Sequence, residues 1–312
     1  MSPSFLADIG GSNSRFALAK PGGRPDHIRI IENDKVASLE QAVEDYLRAA
    51  AARPRTATLA IAGPIDGDEI ALTNRTWRFR RDEFARCFGF TQLRIVNDFE
   101  AIAWALLRLE PADVRPLGKP IPARTGVRIA LGPGTGLGVA ALVPVEGRWH
   151  VVASEGGHAC FGPQASDEFE AFARLAAECG RVSAECILSG PGLVRLARAL
   201  HPQHTWGAPK EIVARALARE RPAQAVAQMF VRLLGRFAGG LALTFKAAGG
   251  VYITGGVATA FGPLLDDPQF RTAFEAHAPH EKLLTAIPTL LMTCAEPGLI
   301  GCAALADELA PV

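Results

Sequence analysis

The sequence predicts an α/β protein built as two related lobes, and three observations carry that prediction. Strand-like and helix-like stretches alternate along most of the chain. A unit of strand, glycine turn, strand, tight turn and strand opens the chain and restarts at Val127, and one supersecondary unit recurring at that spacing indicates a duplicated fold. The chain has 312 residues, beyond the size at which a single hydrophobic core usually stops growing.

The elements follow in order. The opening PSFLADIGGSNSRFALAKPGGRPDHIRIIEND reads as an apolar strand, a turn at Gly10-Gly11, a second strand about residues 16–18, another glycine-rich turn and a third strand. Residues 37–52 place Leu39, Ala42, Val43, Tyr46 and Leu47 at helical spacing, with Ser38 available as a cap and Gln41 three positions on. Residues 58–62 form a short apolar strand ended by Gly63-Pro64, and 70–72 a further strand. A short helix at 81–87, a buried-type strand at 93–96 and an apolar helix at 99–109 complete the first half. Prolines and arginines about 111–122 mark the seam. The second half restarts as VRIALGPGTGLGVAALVPVEGRWHVVASEGG and continues with helices near 167–178, 191–200, 210–219 and 223–245. A strand at 251–254 leads into Gly255-Gly256, and a helix at 298–309 ends the chain.

Composition narrows the functions. With 33 basic against 32 acidic side chains the chain lacks the clustered positive charge that nucleic acid or an anionic membrane requires, so neither is an expected partner. Residues 1–5 do not resemble a secretory leader, and the weakly charged stretch 237–265 carries Lys246, three glycine pairs and Pro263, which argues against a membrane span. Six cysteines are scattered with no CxxC pair in a chain long enough to fold without staples, so they read as reduced packing residues in a cytoplasmic protein.

Two glycine turns, Gly10-Gly11-Ser12-Asn13 and Gly132-Pro133-Gly134-Thr135-Gly136, each join two strands. In such a turn successive backbone N–H groups converge on an anion, and Ser12 or Thr135 adds a hydroxyl donor. One alone is more simply a hairpin turn; two facing turns would grip a polyphosphate. A Walker loop is excluded because the only Gly-Lys, Gly118-Lys119, is followed by Pro120. A dinucleotide fingerprint forced onto Gly136, Gly138 and Ala141 fails because the segment runs on as a strand. Asp98 follows an apolar strand and precedes a helix, where open α/β sheets place ligands and where a helix cap would equally stand; Asn97 is beside it. Asp8 ends the first strand and can hold Mg²⁺ through water. Glu155, His158 and Glu185 are further groups able to bond hydroxyls. The pairs His201/His204 and His277/His280 are interrupted by proline and read as surface loops with no zinc, and Cys160 and Ser189 lack a partner base for covalent catalysis.

Together the segments DIGGSN at 8–13, GPIDG at 63–67, TNRTW at 73–77, NDFEA at 97–101, GPGTGLG at 132–138, EGGH at 155–158, SAECILSGPGL at 183–193 and TGGV at 254–257 resemble, in order and over nearly the whole chain, bacterial glucokinases. That family belongs with the sugar kinase, hexokinase and actin-like ATPase superfamily. The resemblance implies a duplicated ribonuclease-H-like βββαβα fold with two lobes and an interdomain cleft. The expected division is a small lobe of residues 1–110, completed by the C-terminal helix 297–312, and a large lobe of 111–296.

The resemblance further implies ATP-dependent phosphorylation of D-glucose on the 6-hydroxyl, with Asp98 as catalytic base and Asn97, Glu155, His158 and Glu185 bonding the other hydroxyls. Ala7, Asp8, Ile9, Gly10, Gly11, Ser12 and Asn13 would hold the ATP phosphates with Gly134, Thr135 and Gly136. Gly255 and Gly256 would lie near the nucleoside, Asp8 would hold Mg²⁺ through water, and the assembly would be a homodimer. Ser12 stands where threonine is usual and keeps the hydroxyl, whereas Ala159-Cys160 replaces a common valine and aspartate beside the proposed sugar site. The cysteine-rich zinc motif of the related repressor and kinase family is absent. Two other readings stand beside this one: a kinase for mannose, fructose or an N-acetylated amino sugar, and a sugar sensor without catalysis.

Overall fold

The computed structural model describes residues 2–63, 65, 67–72 and 77–308. Pro64 and Asp66 of GPIDG, residues 73–76 of TNRTW and residues 309–312 of the expected C-terminal helix lie outside the described residues. The chain divides into two compact units, one of residues 1–110 with 294–312 and one of 111–293.

The first unit opens with β1 (Ser4–Ile9), β2 (Asn13–Ala19) and β3 (Asp26–Glu32), an antiparallel meander. Then come α1 (Leu39–Ala49), capped by Ser38 accepting from the Gln41 N–H, and β4 (Thr56–Ile61). A small hairpin of β5 (Glu69–Ala71) and β6 (Arg78–Arg80) leads into α2 (Arg81–Phe88), β7 (Gln92–Asn97) and α3 (Asp98–Ala105). The sheet order is β3-β2-β1-β4-β7, with β1, β4 and β7 parallel. Phe5 and Phe16, fully buried from adjacent strands, pack with Tyr46 of α1 at ring-centroid distances of 5.7 and 5.6 Å, the aromatic centre of this core.

The second unit repeats the plan. It comprises β8 (Val114–Pro116), β9 (Arg128–Pro133), β10 (Leu137–Val145), β11 (Arg148–Ser154), α4 (Phe169–Cys179), α5 (Gly190–Leu200), α6 (Pro209–Leu217) and α7 (Arg221–Phe245). β12 (Gly250–Ile253), α8 (Gly256–Phe261), α9 (Gln269–Glu275), α10 (Glu281–Thr285) and β13 (Thr289–Met292) follow. Its sheet order is β11-β10-β9-β12-β13, the order of the first sheet, with β8 added antiparallel at the β13 edge. The hairpin between β10 and β11 turns at Glu146 and Gly147, both at positive φ as a tight two-residue turn demands. The strand β10 occupies the segment where a dinucleotide fold needs a helix.

Helix α7 is, among the described residues, the one helix long and apolar enough to cross a membrane, and 72% of its most apolar window is buried inside the unit. Its Arg236 reaches the buried carboxylate of Glu168 at 2.8 Å and donates to the Gly162 carbonyl at 2.8 Å, tying the loop before α4 to the core. The chain then returns to the first unit as α11 (Pro297–Glu308), which packs on α3, β1 and β4. A Cβ at Gly301 would collide with the Ala101 carbonyl, so only glycine permits α11 and α3 to approach this closely.

Candidate active site

In the first unit, register places the candidate residues at one edge. Ile9 of β1 pairs with Ile61 of β4, and Ile61 with Asn97 of β7, so three parallel strands end together. Open α/β sheets bind ligands beyond that carboxyl edge. Asn97 is the N-cap of α3: its side chain accepts from the Phe99 N–H at 2.9 Å, and Asp98 Oδ1 accepts from the same N–H at 2.9 Å. Capping therefore falls to Asn97, and Asp98 is the first residue of the helix, half-buried at the edge. The turn after β1 is closed by the Gly10 N–H donating to the Asn13 carbonyl at 3.0 Å, which leaves Ser12 exposed at its tip. Asn33 fastens the turn from behind, donating to the Gly10 carbonyl at 2.8 Å and accepting from Ser14 at 2.7 Å.

Asp8 sits beneath this turn. Burial drives its carboxyl up to about 6, Arg15 opposes that rise, and Asp98 and Glu296 add to it. Arg15, directly across the β1–β2 ladder, lies 3.8 Å from Asp8 and is ion-paired on its other side with Glu296. Glu296 holds a positive φ of 52° just before α11, and a Cβ at Gly298 would stand 2.8 Å from the Asp8 carboxylate. The hard oxygens of Asp8 suit Mg²⁺, but no three His, Cys, Asp or Glu among the described residues converge as a metal cage. An ion held by Asp8 would complete its shell from water and phosphate oxygens.

The second unit builds a matching edge. Leu131 of β9 pairs with Ile253 of β12, so the turn at Gly134 and the turn at Gly255 emerge side by side. The Gly134 N–H donates to the Gly136 carbonyl at 2.8 Å, and the Gly190 N–H at the start of α5 donates to the Gly134 carbonyl at 2.8 Å. Thr135 is exposed at the tip, as Ser12 is in the first unit, and a Cβ at Gly134 or Gly256 would meet open space. Both turns thus offer the backbone and hydroxyl donors that a phosphate chain accepts.

The same unit gathers three more candidates. His158 Nε2 lies 3.8 Å from Glu155 and 3.8 Å from Glu185. Glu185 Oε2 accepts from the Leu137 N–H at 2.8 Å, immediately past the Gly134–Gly136 turn, and a Cβ at Gly136 would stand 2.6 Å from that oxygen. The Glu185 N–H donates to the Gly157 carbonyl at 2.8 Å. A side chain at Gly157 would strike the Leu137 carbonyl, which is why EGGH needs glycine there to lie against β10.

Within each unit, then, sequence-predicted residues meet: Asp8, Asp98 and the Ser12 turn in one, and Glu155, His158, Glu185, the Gly134 turn and Gly255 in the other. Sequence reasoning missed Arg15 and Glu296. Arg15 was recoverable, since pairing the first hairpin sets it opposite Asp8, whereas nothing in the sequence near Glu296 signals its contact. Two expectations need correction. The cysteines are not all packing residues: Cys87 and Cys160 are exposed, and only Cys302 is fully buried, because Cys87 falls on the solvent side of α2 and Cys160 in a loop. The histidine pairs are more than surface loops, since His201 and His204 pack on Trp206 at 6.2 and 5.8 Å, and burial holds His201 and His277 below the usual imidazole value.

Two sheets of one repeated order, each presenting a glycine turn with a hydroxyl at the carboxyl edge, give the chain the fold that actin-like ATPases and sugar kinases share. The family model for glucokinase matches residues 5–309, and the chain belongs to the glucokinase family. It is 40% identical over 316 residues to the glucokinase of Chromobacterium violaceum, covering 99% of this chain and 91% of that one. To the glucokinase of Mesorhizobium japonicum it is 39% identical over 311 residues, covering 97% and 91%. The crystal structure of a glucokinase from an Antarctic psychrotroph is similar with a TM-score of 0.90 at 30% identity, covering 99% of each chain.

Proposed function

We propose that this glucokinase-family enzyme transfers the γ-phosphoryl group of ATP to the 6-hydroxyl of D-glucose with Asp98 as general base. The observation that carries the reading is the position of Asp98, at the carboxyl edge of the parallel strands beside the Asp8 turn. There a carboxylate can accept the hydroxyl proton as the oxygen attacks phosphorus. Beyond the Gly10 and Gly134 N–H groups, which close their own turns, the backbone N–H groups at the two turn tips, with the Ser12 and Thr135 hydroxyls, hold the phosphates and offset charge on the transferring group. Asn97, Glu155, His158 and Glu185 bond the remaining sugar hydroxyls and fix which one faces Asp98. A magnesium ion held through water by Asp8 would supply further neutralisation of phosphate charge. Gly256, where a side chain would meet only open space, leaves room for the nucleoside, while Gly255 lets the turn pack on Pro133.

A coupled assay of ADP release over a hexose panel with ATP and Mg²⁺ tests this. Glucose should give the highest kcat/KM, and release without sugar should be negligible. A higher kcat/KM for mannose, fructose or an N-acetylated amino sugar would reassign the substrate, and sugar-independent hydrolysis or none would contradict kinase action. We propose a homodimer in the cytoplasm, which a light-scattering mass of one chain would contradict for the assembly.

A further inference from the structure

The segment from Glu185 to Gly190 holds the Gly134–Gly136 turn at both ends. At one end the Gly190 N–H, where α5 begins, donates to the Gly134 carbonyl at 2.8 Å. At the other, Glu185 Oε2 accepts from the Leu137 N–H at 2.8 Å, where β10 begins. Gly136 permits the second contact, since a Cβ there would stand 2.6 Å from Oε2 and 3.4 Å from the carboxyl carbon. The segment is itself firmly seated. Ala184, Ile187 and Leu188 are fully buried, and the Leu188 N–H donates to the Ala184 carbonyl at 2.7 Å. The buried Ser189 donates its hydroxyl to the Glu185 carbonyl at 2.8 Å, and the same oxygen accepts from the Gly192 N–H at 3.0 Å. The Glu185 carboxylate also has a second face, with Oε1 3.8 Å from His158 Nε2.

We propose that Glu185 is a positioning residue for the Gly134–Gly136 turn, setting nucleotide affinity through the Leu137 N–H even when no sugar is bound. Two of the three turn residues are glycine, so little in the turn's own sequence fixes its direction. The bond from the Gly134 N–H to the Gly136 carbonyl closes the turn on itself, and the anchors at Gly190 and Glu185 aim it. Donors aimed before a phosphate chain arrives spare the binding step the cost of ordering them. Glu185 supplies the ionised anchor, and a hydrogen bond to an ionised group is roughly twice as strong as one between neutral partners. One carboxylate thus serves two ends: Oε2 steadies the turn and Oε1 faces the group of His158 and Glu155. The effect on nucleotide rests on the proposed phosphate role of the turn, and it is separate from the proposed sugar contact of Glu185.

The test is a calorimetric titration of the full chain with ADP and Mg²⁺, with no sugar present, in the parent, Glu185→Ala and Glu185→Gln. Amide hydrogen exchange at Leu137 is followed in the same three proteins without ligand. Glu185→Ala should weaken ADP binding about tenfold, the scale of one charged hydrogen bond, and should speed exchange at Leu137. Glu185→Gln keeps a side-chain oxygen able to accept from Leu137 and should recover most of that affinity. Unchanged exchange with parental or tighter ADP binding in Glu185→Ala would overturn the proposal. Equal losses in the two variants would overturn it as well, because affinity would then not follow the acceptor. Faster exchange with parental ADP affinity would uphold the hold on the turn and overturn its effect on nucleotide, placing the failure in the phosphate role of the turn. A glucose titration of the same variants isolates the sugar reading: parental glucose affinity beside weakened ADP would uphold the positioning role and remove Glu185 from the sugar site.

Discussion

Asp8 has a folded value of about 6 against an ordinary 3.8, chiefly through burial. A carboxyl raised in this way helps the fold while protonated: its contribution is complete below pH 3.8 and is lost as the pH rises through about 6. The loss amounts to roughly 3 kcal/mol. Asp8→Asn, neutral throughout, should therefore gain stability relative to the parent chain by up to that amount between pH 4.5 and 7, measured by urea unfolding at several pH values. Parallel pH dependences of the two proteins would remove the strain assigned to Asp8. The residue scale is also where the sequence was most and least informative. Asp8, Asp98, Glu155 and His158 could be picked out because each stands beside a glycine turn or a strand end, and Glu185 only through the family resemblance of the SAECILSGPGL segment. Arg15 needed cross-strand register, and Glu296 lies far along the chain from the carboxylate it affects, so only folding joins them.

At the scale of elements, two glycines hold the candidate groups in place. Gly157→Ala forces a methyl onto the Leu137 carbonyl and should shift His158 and Glu155 away from β10. We expect the glucose KM to rise about tenfold, as for one charged hydrogen bond lost. A steady-state titration with thermal unfolding in parallel checks this, and an unchanged KM would detach EGGH from the sugar. Gly301→Ala presses α11 off α3 and should cost about 1–3 kcal/mol in urea unfolding. Because α3 begins at Asp98, kcat should fall with it. Most elements were legible where hydrophobic period and punctuation agree: Ser38 capping α1, or the glycine turns between β1 and β2 and between β9 and β10. β6, β8 and β13 were not, being strands of three or four residues that tertiary pairing creates. The short helices α8 to α10 escaped for the same reason.

At the scale of the whole molecule, the duplication visible in the two glycine hairpins proved to be a repeat of sheet order, with the β5–β6 hairpin and β8 as additions. The second unit also encloses a charge triad that composition could not reveal, Glu168 with Arg236 at 2.8 Å and Arg232 at 3.3 Å. Glu168→Ala should destabilise the protein by about 3–5 kcal/mol, since it strands a buried guanidinium. Chemical denaturation measures this, and replacing Glu168 and Arg236 together by methionine should recover much of the loss. The proposed phosphoryl transfer depends on one carboxylate. Asp98→Asn, assayed for ADP release and for glucose binding by calorimetry, should bind glucose with nearly parental affinity while kcat falls about 10²- to 10⁴-fold, the scale of general base catalysis. Near-parental kcat in that variant would contradict the account.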